Sequence, residues 1–200
     1  SGGRQRTLRG GKGGLWEGGI RVPFIIQGPD IPSGSTHDIR ITGTDLLPTF
    51  AAIAGSKSAL PDGIEGGDFL PVLTGNADSV DRPHDFLTFH FPHYQGQDGP
   101  QSAIIKDDLK LVKHYETDSV QLFDLAIDPG ESRDLASARA GDAGRLRELL
   151  EAHLERVDAD LPAKNPEAGR PDDARSGPDE ENRDRRRGRG RGRGNAGSPE

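Results

Sequence analysis

The feature that most constrains the fold is a series of short apolar runs followed by one long helical pattern. Residues 86–91 (FLTFHF), 102–106, 109–115 and 120–125 are each about one strand long. Two of their separators, Asp107-Asp108 and Glu116-Thr117-Asp118-Ser119, are turn formers. Apolar runs of this length between polar turns predict an antiparallel meander. Asp128-Pro129-Gly130 closes it. Leu146, Leu149, Leu150, Leu154 and Val157 then recur at spacings of three and four, which predicts an amphipathic helix over 141–158. The expected unit is a small antiparallel sheet covered by its C-terminal helix.

The preceding half reads differently. Val22 to Gln27 (VPFIIQ) is an unbroken apolar run, the pattern of a strand buried on both faces, and Gly28-Pro29 ends it. Residues 44–54 predict a helix with Thr44 as N-cap and Gly55 as its stop. Leu46, Leu47, Phe50 and Ile53 form the expected buried stripe. Pro61-Asp62-Gly63 marks a turn and 68–73 a short helix. Residues 1–14 read as an exposed loop.

Apolar residues are 31% of the chain and charged residues 30%, a mixture that predicts a folded part diluted by a disordered one. The expected disordered part is 161–200, where periodicity ends and Arg185–Arg193 alternates arginine with glycine. Such a segment can bind RNA through phosphates and stacking. The rest of the chain is more acidic than the net −7, which argues against a nucleic-acid-binding domain and favours a solubilising tail. The absence of cysteine excludes disulfides, thiolate zinc sites and a cysteine nucleophile. The chain starts Ser1-Gly2-Gly3 and has no methionine, so a processed product or fragment is expected. No leader pattern opens it, and no apolar run approaches the roughly 18 residues of a membrane span.

The densest chemical signal is Leu8 to Pro23, LRGGKGGLWEGGIRVP. Lys12 stands among glycines, which permit close backbone approach and positive φ. A lysine so placed can reach an anion. A phosphate-binding P-loop does not fit, since Arg6 stands where that motif needs glycine and Gly13 where it needs Ser or Thr.

The segment resembles the sulfatases of the alkaline phosphatase superfamily, through Arg9-Gly10-Gly11-Lys12-Gly13 and Trp16-Glu17-Gly18-Gly19-Ile20-Arg21-Val22-Pro23. The similarity continues in Thr44-Asp45-Leu46-Leu47-Pro48-Thr49, His90-Phe91-Pro92-His93-Tyr94, Lys110-Leu111 and Leu122-Phe123-Asp124-Leu125, across about residues 8 to 158. It implies the C-terminal part of an alkaline-phosphatase-like α/β fold. Residues 1–80 would end the catalytic domain, and 81–160 would form the sheet-and-helix subdomain. It also implies a sulfuric ester hydrolase, with a sulfated small molecule or glycan as substrate and a periplasmic or extracellular location.

By the resemblance, Lys12 is the catalytic residue that contacts the sulfate and the leaving oxygen. His90, His93 and Trp16 are candidate substrate contacts, with structural hydrogen bonding the alternative for the histidines and loop packing for Trp16. Glu17 and Arg21 are expected to pin the loop, and Asp45 to serve a helix start. His37, His84, His114 and His153 read as solvated or structural. The family's formylglycine arises from a C/S-x-P-S-R motif that this sequence lacks. Its Ca2+ ligands, an early aspartate pair and an Asp-Asn pair, are absent too, so no metal ligand is assigned. The chain alone is therefore expected to be inactive, and a non-catalytic module binding sulfated glycans is the alternative.

Overall fold

A computed structural model describes residues 8–94, 98–163 and 165. The chain divides into two compact units, one built from residues up to 20 and from 88 onward, the other from residues 21–87. The glycine–lysine loop belongs to the same unit as the sheet and its C-terminal helix.

In the first unit the predicted meander forms. Strands β1 (Phe86–Phe91), β2 (Gln101–Lys106), β3 (Leu109–His114) and β4 (Ser119–Asp124) make one sheet in sequence order. β2 with β3, and β3 with β4, are antiparallel, in the registers Ile104↔Leu111↔Leu122 and Ile105↔Lys110↔Phe123. Asp107 and Asp118 lie at the hairpin turns with positive φ, a conformation that aspartate tolerates better than most residues.

Strand side chains alternate between faces, and here both faces are covered. Ile104, Leu111 and Leu122 share the face that carries Lys113, whose ammonium pairs with Glu151 of helix α4 (Ala140–Arg156). α4 turns Ala143, Leu146, Leu150, His153 and Leu154 inward. The helix ends at Arg156, and Val157, expected in the buried stripe, is its exposed C-cap. The other face, with Gln101, Lys110, His114 and Phe123, is covered by the loop from Leu8 to Ile20.

The second unit gathers Phe69, Val72, Leu73 and Val80 into a small core. Ile26, Ile31, Ile39, Ile41 and Leu46 pack around it. It contains a 3-10 turn (Gly43–Asp45), α2 (Leu46–Ile53) and α3 (Leu70–Leu73). Two expectations are corrected here. Residues 22–27 form no strand, and Val22 and Ile25 are 78% and 93% exposed. A buried strand needs neighbours to pair its backbone and cover its side chains, and no described residue pairs with this segment. The α2 stripe is also reversed in part. Leu46 joins the core, but Leu47, Phe50 and Ile53 are about half exposed, while Pro48 and Thr49 are buried.

The cap is shifted as well: Thr42, not Thr44, precedes the first turn, and its N–H donates to Asp45 Oδ2 (2.7 Å).

Candidate active-site loop

The lysine loop is fixed at both ends and exposed in the middle. On one side the Arg9 guanidinium stacks on the Trp16 ring at 3.5 Å and donates to the Glu131 carbonyl (3.1 Å). The Arg9 carbonyl in turn accepts from Gly18 N–H (2.8 Å). On the other side Trp16, only 3% exposed, packs edge-on against Phe123 and donates its indole N–H to Asp98 (3.0 Å). Helix α1 (Glu17–Ile20) begins immediately after it.

The glycines matter here for space. A Cβ on Gly19 would lie 2.1 Å from the Gly14 carbonyl oxygen, closer than any real contact. Between the anchors, Gly14 N–H bonds the Gly11 carbonyl (3.1 Å), closing a four-residue turn. Gly13 takes φ +96° at its third position, where such a turn favours glycine. Lys12 is at the second position, exposed, with no hydrogen-bond or ion-pair partner among the described residues.

Beneath the loop is a buried ion triad. Lys110, 0% exposed on β3, places its ammonium 2.9 Å from Glu17 Oε1 and 2.7 Å from Glu131 Oε1. Glu131 Oε2 also accepts from the Glu17 N–H (2.7 Å). Two carboxylates thus share one cation out of water. Burial pushes the Glu131 carboxyl above the ordinary value, although its bonds from Lys110 and the Glu17 backbone pull the other way. Glu17 pins the loop as expected, but its partner is a strand lysine 93 residues away.

His90 and His93 diverge. The His90 Nε2–H donates to the Asp160 carbonyl (2.8 Å), and its Nδ1 faces the Ser102 hydroxyl (2.7 Å), which also bonds the Tyr115 hydroxyl (2.8 Å). Both ring nitrogens are therefore used within the unit. Burial raises the Tyr115 phenol above its ordinary value, against the Ser102 bond. His93 is exposed, with Phe91 edge-on to its ring at 5.3 Å.

His114, read from the sequence as solvated or structural, is half-buried on β3. It stands between Gln101 and Gln121, 5.9 Å from the Trp16 ring. Its signal was only its place on an inward face of β3, in register with Gln101.

In the second unit Asp45 is wholly buried and fully bonded. Arg82 grips it with two bonds (2.8 and 2.7 Å), and Thr42 N–H and Gly67 N–H add two more (2.7 and 2.8 Å). Burial raises its carboxyl, but the bonds from Arg82, Gly67 and Thr42 together outweigh that and hold it below the usual value. Thr49, one turn on, donates to the Asp45 carbonyl and accepts from Phe69 N–H. The Thr-Asp-x-x-Pro-Thr segment is therefore a clamp that ties α2 to the Gly66–Phe69 strand-like stretch.

The buried carboxylates already hold Lys110 and Arg82, so they offer no oxygen cage for a calcium ion. The arginine–glycine segment lies outside the described residues.

This arrangement, a cationic turn braced by a small sheet and helix, is that of a sulfatase C-terminal region. Residues 11–160 match the family model for N-sulphoglucosamine sulphohydrolase, C-terminal, and the chain belongs to that family. Among curated relatives, human arylsulfatase A is 33% identical over 76% of this chain, and human steryl-sulfatase is 40% identical over 45% of it. A sulfatase of Formosa agariphila is 33% identical over 64%. The chain covers only 32%, 15% and 25% of those relatives, respectively.

Of solved structures, Ps i-CgsB in complex with k-i-k-neocarrahexaose matches 78% of this chain at 26% identity with a TM-score of 0.60, and the match covers 33% of that protein. A chain from work on the metabolism of multiple glycosaminoglycans by Bacteroides thetaiotaomicron matches 75% at 24% identity with a TM-score of 0.58, over 32% of its own length. These neighbours place the fold in the alkaline-phosphatase-like α/β class, with the antiparallel sheet and helices as its C-terminal part.

Proposed function

We propose that this chain supplies the anion-contacting lysine of a sulfuric ester hydrolase that acts on a sulfated carbohydrate. The observation that carries this reading is the exposed Lys12 at the corner of a turn whose two flanks are locked to the sheet. A sulfate ester is anionic, and breaking its S–O bond adds charge to the leaving oxygen. An ammonium held in position lowers the cost of that charge, and loss of one such group typically reduces the rate by about 10²–10³-fold.

On this reading the attacking group and the family's metal are supplied elsewhere in a longer protein. The metal would polarise the sulfate when bound. Lys12 orients the sulfate and stabilises the leaving oxygen, while the Glu17–Lys110–Glu131 triad keeps the loop from moving. His93 is the substrate contact, Trp16 packs the loop against the sheet, and His90 holds the end of β1 in place. Residues 1–80 end the catalytic domain of that protein, whose place is periplasmic or extracellular. Sulfated sugars are preferred to other sulfate esters because Ps i-CgsB, at the same fold, is bound to a carrageenan-type oligosaccharide.

The test has two parts. With calcium added, the purified chain should not turn over a chromogenic aryl sulfate or a sulfated sugar, and turnover abolished by Lys12→Ala would overturn the assignment of the nucleophile elsewhere. In an NMR titration with sulfated oligosaccharide, the amides of residues 11–14 should shift in the native chain but not in Lys12→Ala. Identical shifts in both would remove Lys12 from the site.

A further inference from the structure

We infer that His114, held by Gln101 as a neutral imidazole, is a positioning residue for the lysine loop, and that protonating it releases that loop. The hydrogen-bond polarity is fixed from the loop inward. Leu15 N–H can only donate, so the Gln101 atom facing it at 3.4 Å is the amide oxygen. The Gln101 amide nitrogen is then the group 3.1 Å from His114 Nδ1, which must accept. The remaining ring proton sits on Nε2 and donates to Gln121 Oε1 at 3.0 Å. A proton on Nδ1 would set two donors against each other. Gln101 would have to turn, and its carbonyl would leave the Leu15 amide three residues from Lys12.

The surroundings set the sign. Gln101 is 1% exposed, so no water replaces the lost bond cheaply. Burial disfavours the imidazolium, as does Arg9 from the loop. The Gln121 bond favours it, as do Asp98 near the loop and Asp134 beyond β4. The result lies below the ordinary histidine value of 6.5, so the loop is held at neutral pH and freed on acidification. That this would weaken anion capture by Lys12 rests on the function proposed above. The positioning itself does not, and it is measured without any sulfate.

Trp16, the only tryptophan of the chain, touches Arg9 and lies beside His114, so its emission reports the loop directly. Titrating the full chain from about pH 8 to about pH 5, above the ordinary carboxylate range, should give a one-proton emission change with a midpoint below the free histidine value. Amide exchange at Leu15 should accelerate through the same midpoint. His114→Asn keeps an acceptor toward Gln101 without titrating, so it should lose the transition while keeping Leu15 protected. His114→Ala should lose both. A wild-type emission that does not change, or a transition with the same midpoint in His114→Asn, overturns the inference. Should the variants fail to fold, the imidazole tautomer decides it by nitrogen NMR of the native chain: an Nε2–H ring supports the inference and an Nδ1–H ring overturns it.

Discussion

The two units of this chain use the same device, a buried carboxylate bound to a basic side chain, in opposite settings. In the sheet-and-helix unit the Glu17–Lys110–Glu131 triad lies between a finished sheet and the loop it anchors. In the 21–87 unit the Asp45–Arg82 pair holds together a small core whose flanks are apolar and uncovered: Ile25, Leu47, Phe50 and Ile53 all face outward. The difference teaches that polar clamps set local conformation, but covering apolar surface needs neighbouring elements. The meander carries its own neighbours in sequence order, and the 22–27 segment does not.

The largest expected effect tests the first half of the comparison. Lys110→Met leaves two buried carboxylates without their cation and should cost about 3–5 kcal/mol in denaturant unfolding. A loss below about 1 kcal/mol would mean that the triad does not lock the loop. Leu150→Ala, at the wholly buried centre of α4, should cost about 3 kcal/mol in the same measurement.

Gly66→Ala sharpens the second half. Its Cβ would fall 2.0 Å from the Thr44 carbonyl oxygen and separate α2 from the stretch that Asp45 grips, for about 3 kcal/mol. Phe50→Ser, at a side chain 54% exposed on the outer side of α2, should change the unfolding free energy by no more than about 0.5 kcal/mol. A loss as large as that of Leu150→Ala would show that this face is covered.

The two buried carboxyls also respond to pH with opposite signs. Asp45 is held below its ordinary value of 3.8, so its contribution is complete above that value and is lost as pH falls through the folded value. Glu131 is raised above 4.5, so its contribution is greatest below 4.5 and is lost as pH rises through the folded value. Unfolding midpoints followed against pH should therefore lose part of their acid decline in Asp45→Asn. In Glu131→Gln they should lose part of their decline on the less acidic side.

The order of strands, the closing Asp-Pro-Gly turn and α4 were legible in the sequence because each depends on residues a few positions apart: alternation, turn chemistry and a three-four repeat. The glycine–lysine segment was legible for a related reason, since a motif fixed by backbone crowding tolerates few residue types. The partner of Glu17, the role of His114 and the grip of Arg82 on Asp45 were not legible, because those residues lie 93, 98 and 37 positions from the groups they serve. The exposure of Val22 and Ile25 was misread for the same physical reason. An apolar run states that it gains by burial, and only the elements beside it decide whether burial occurs.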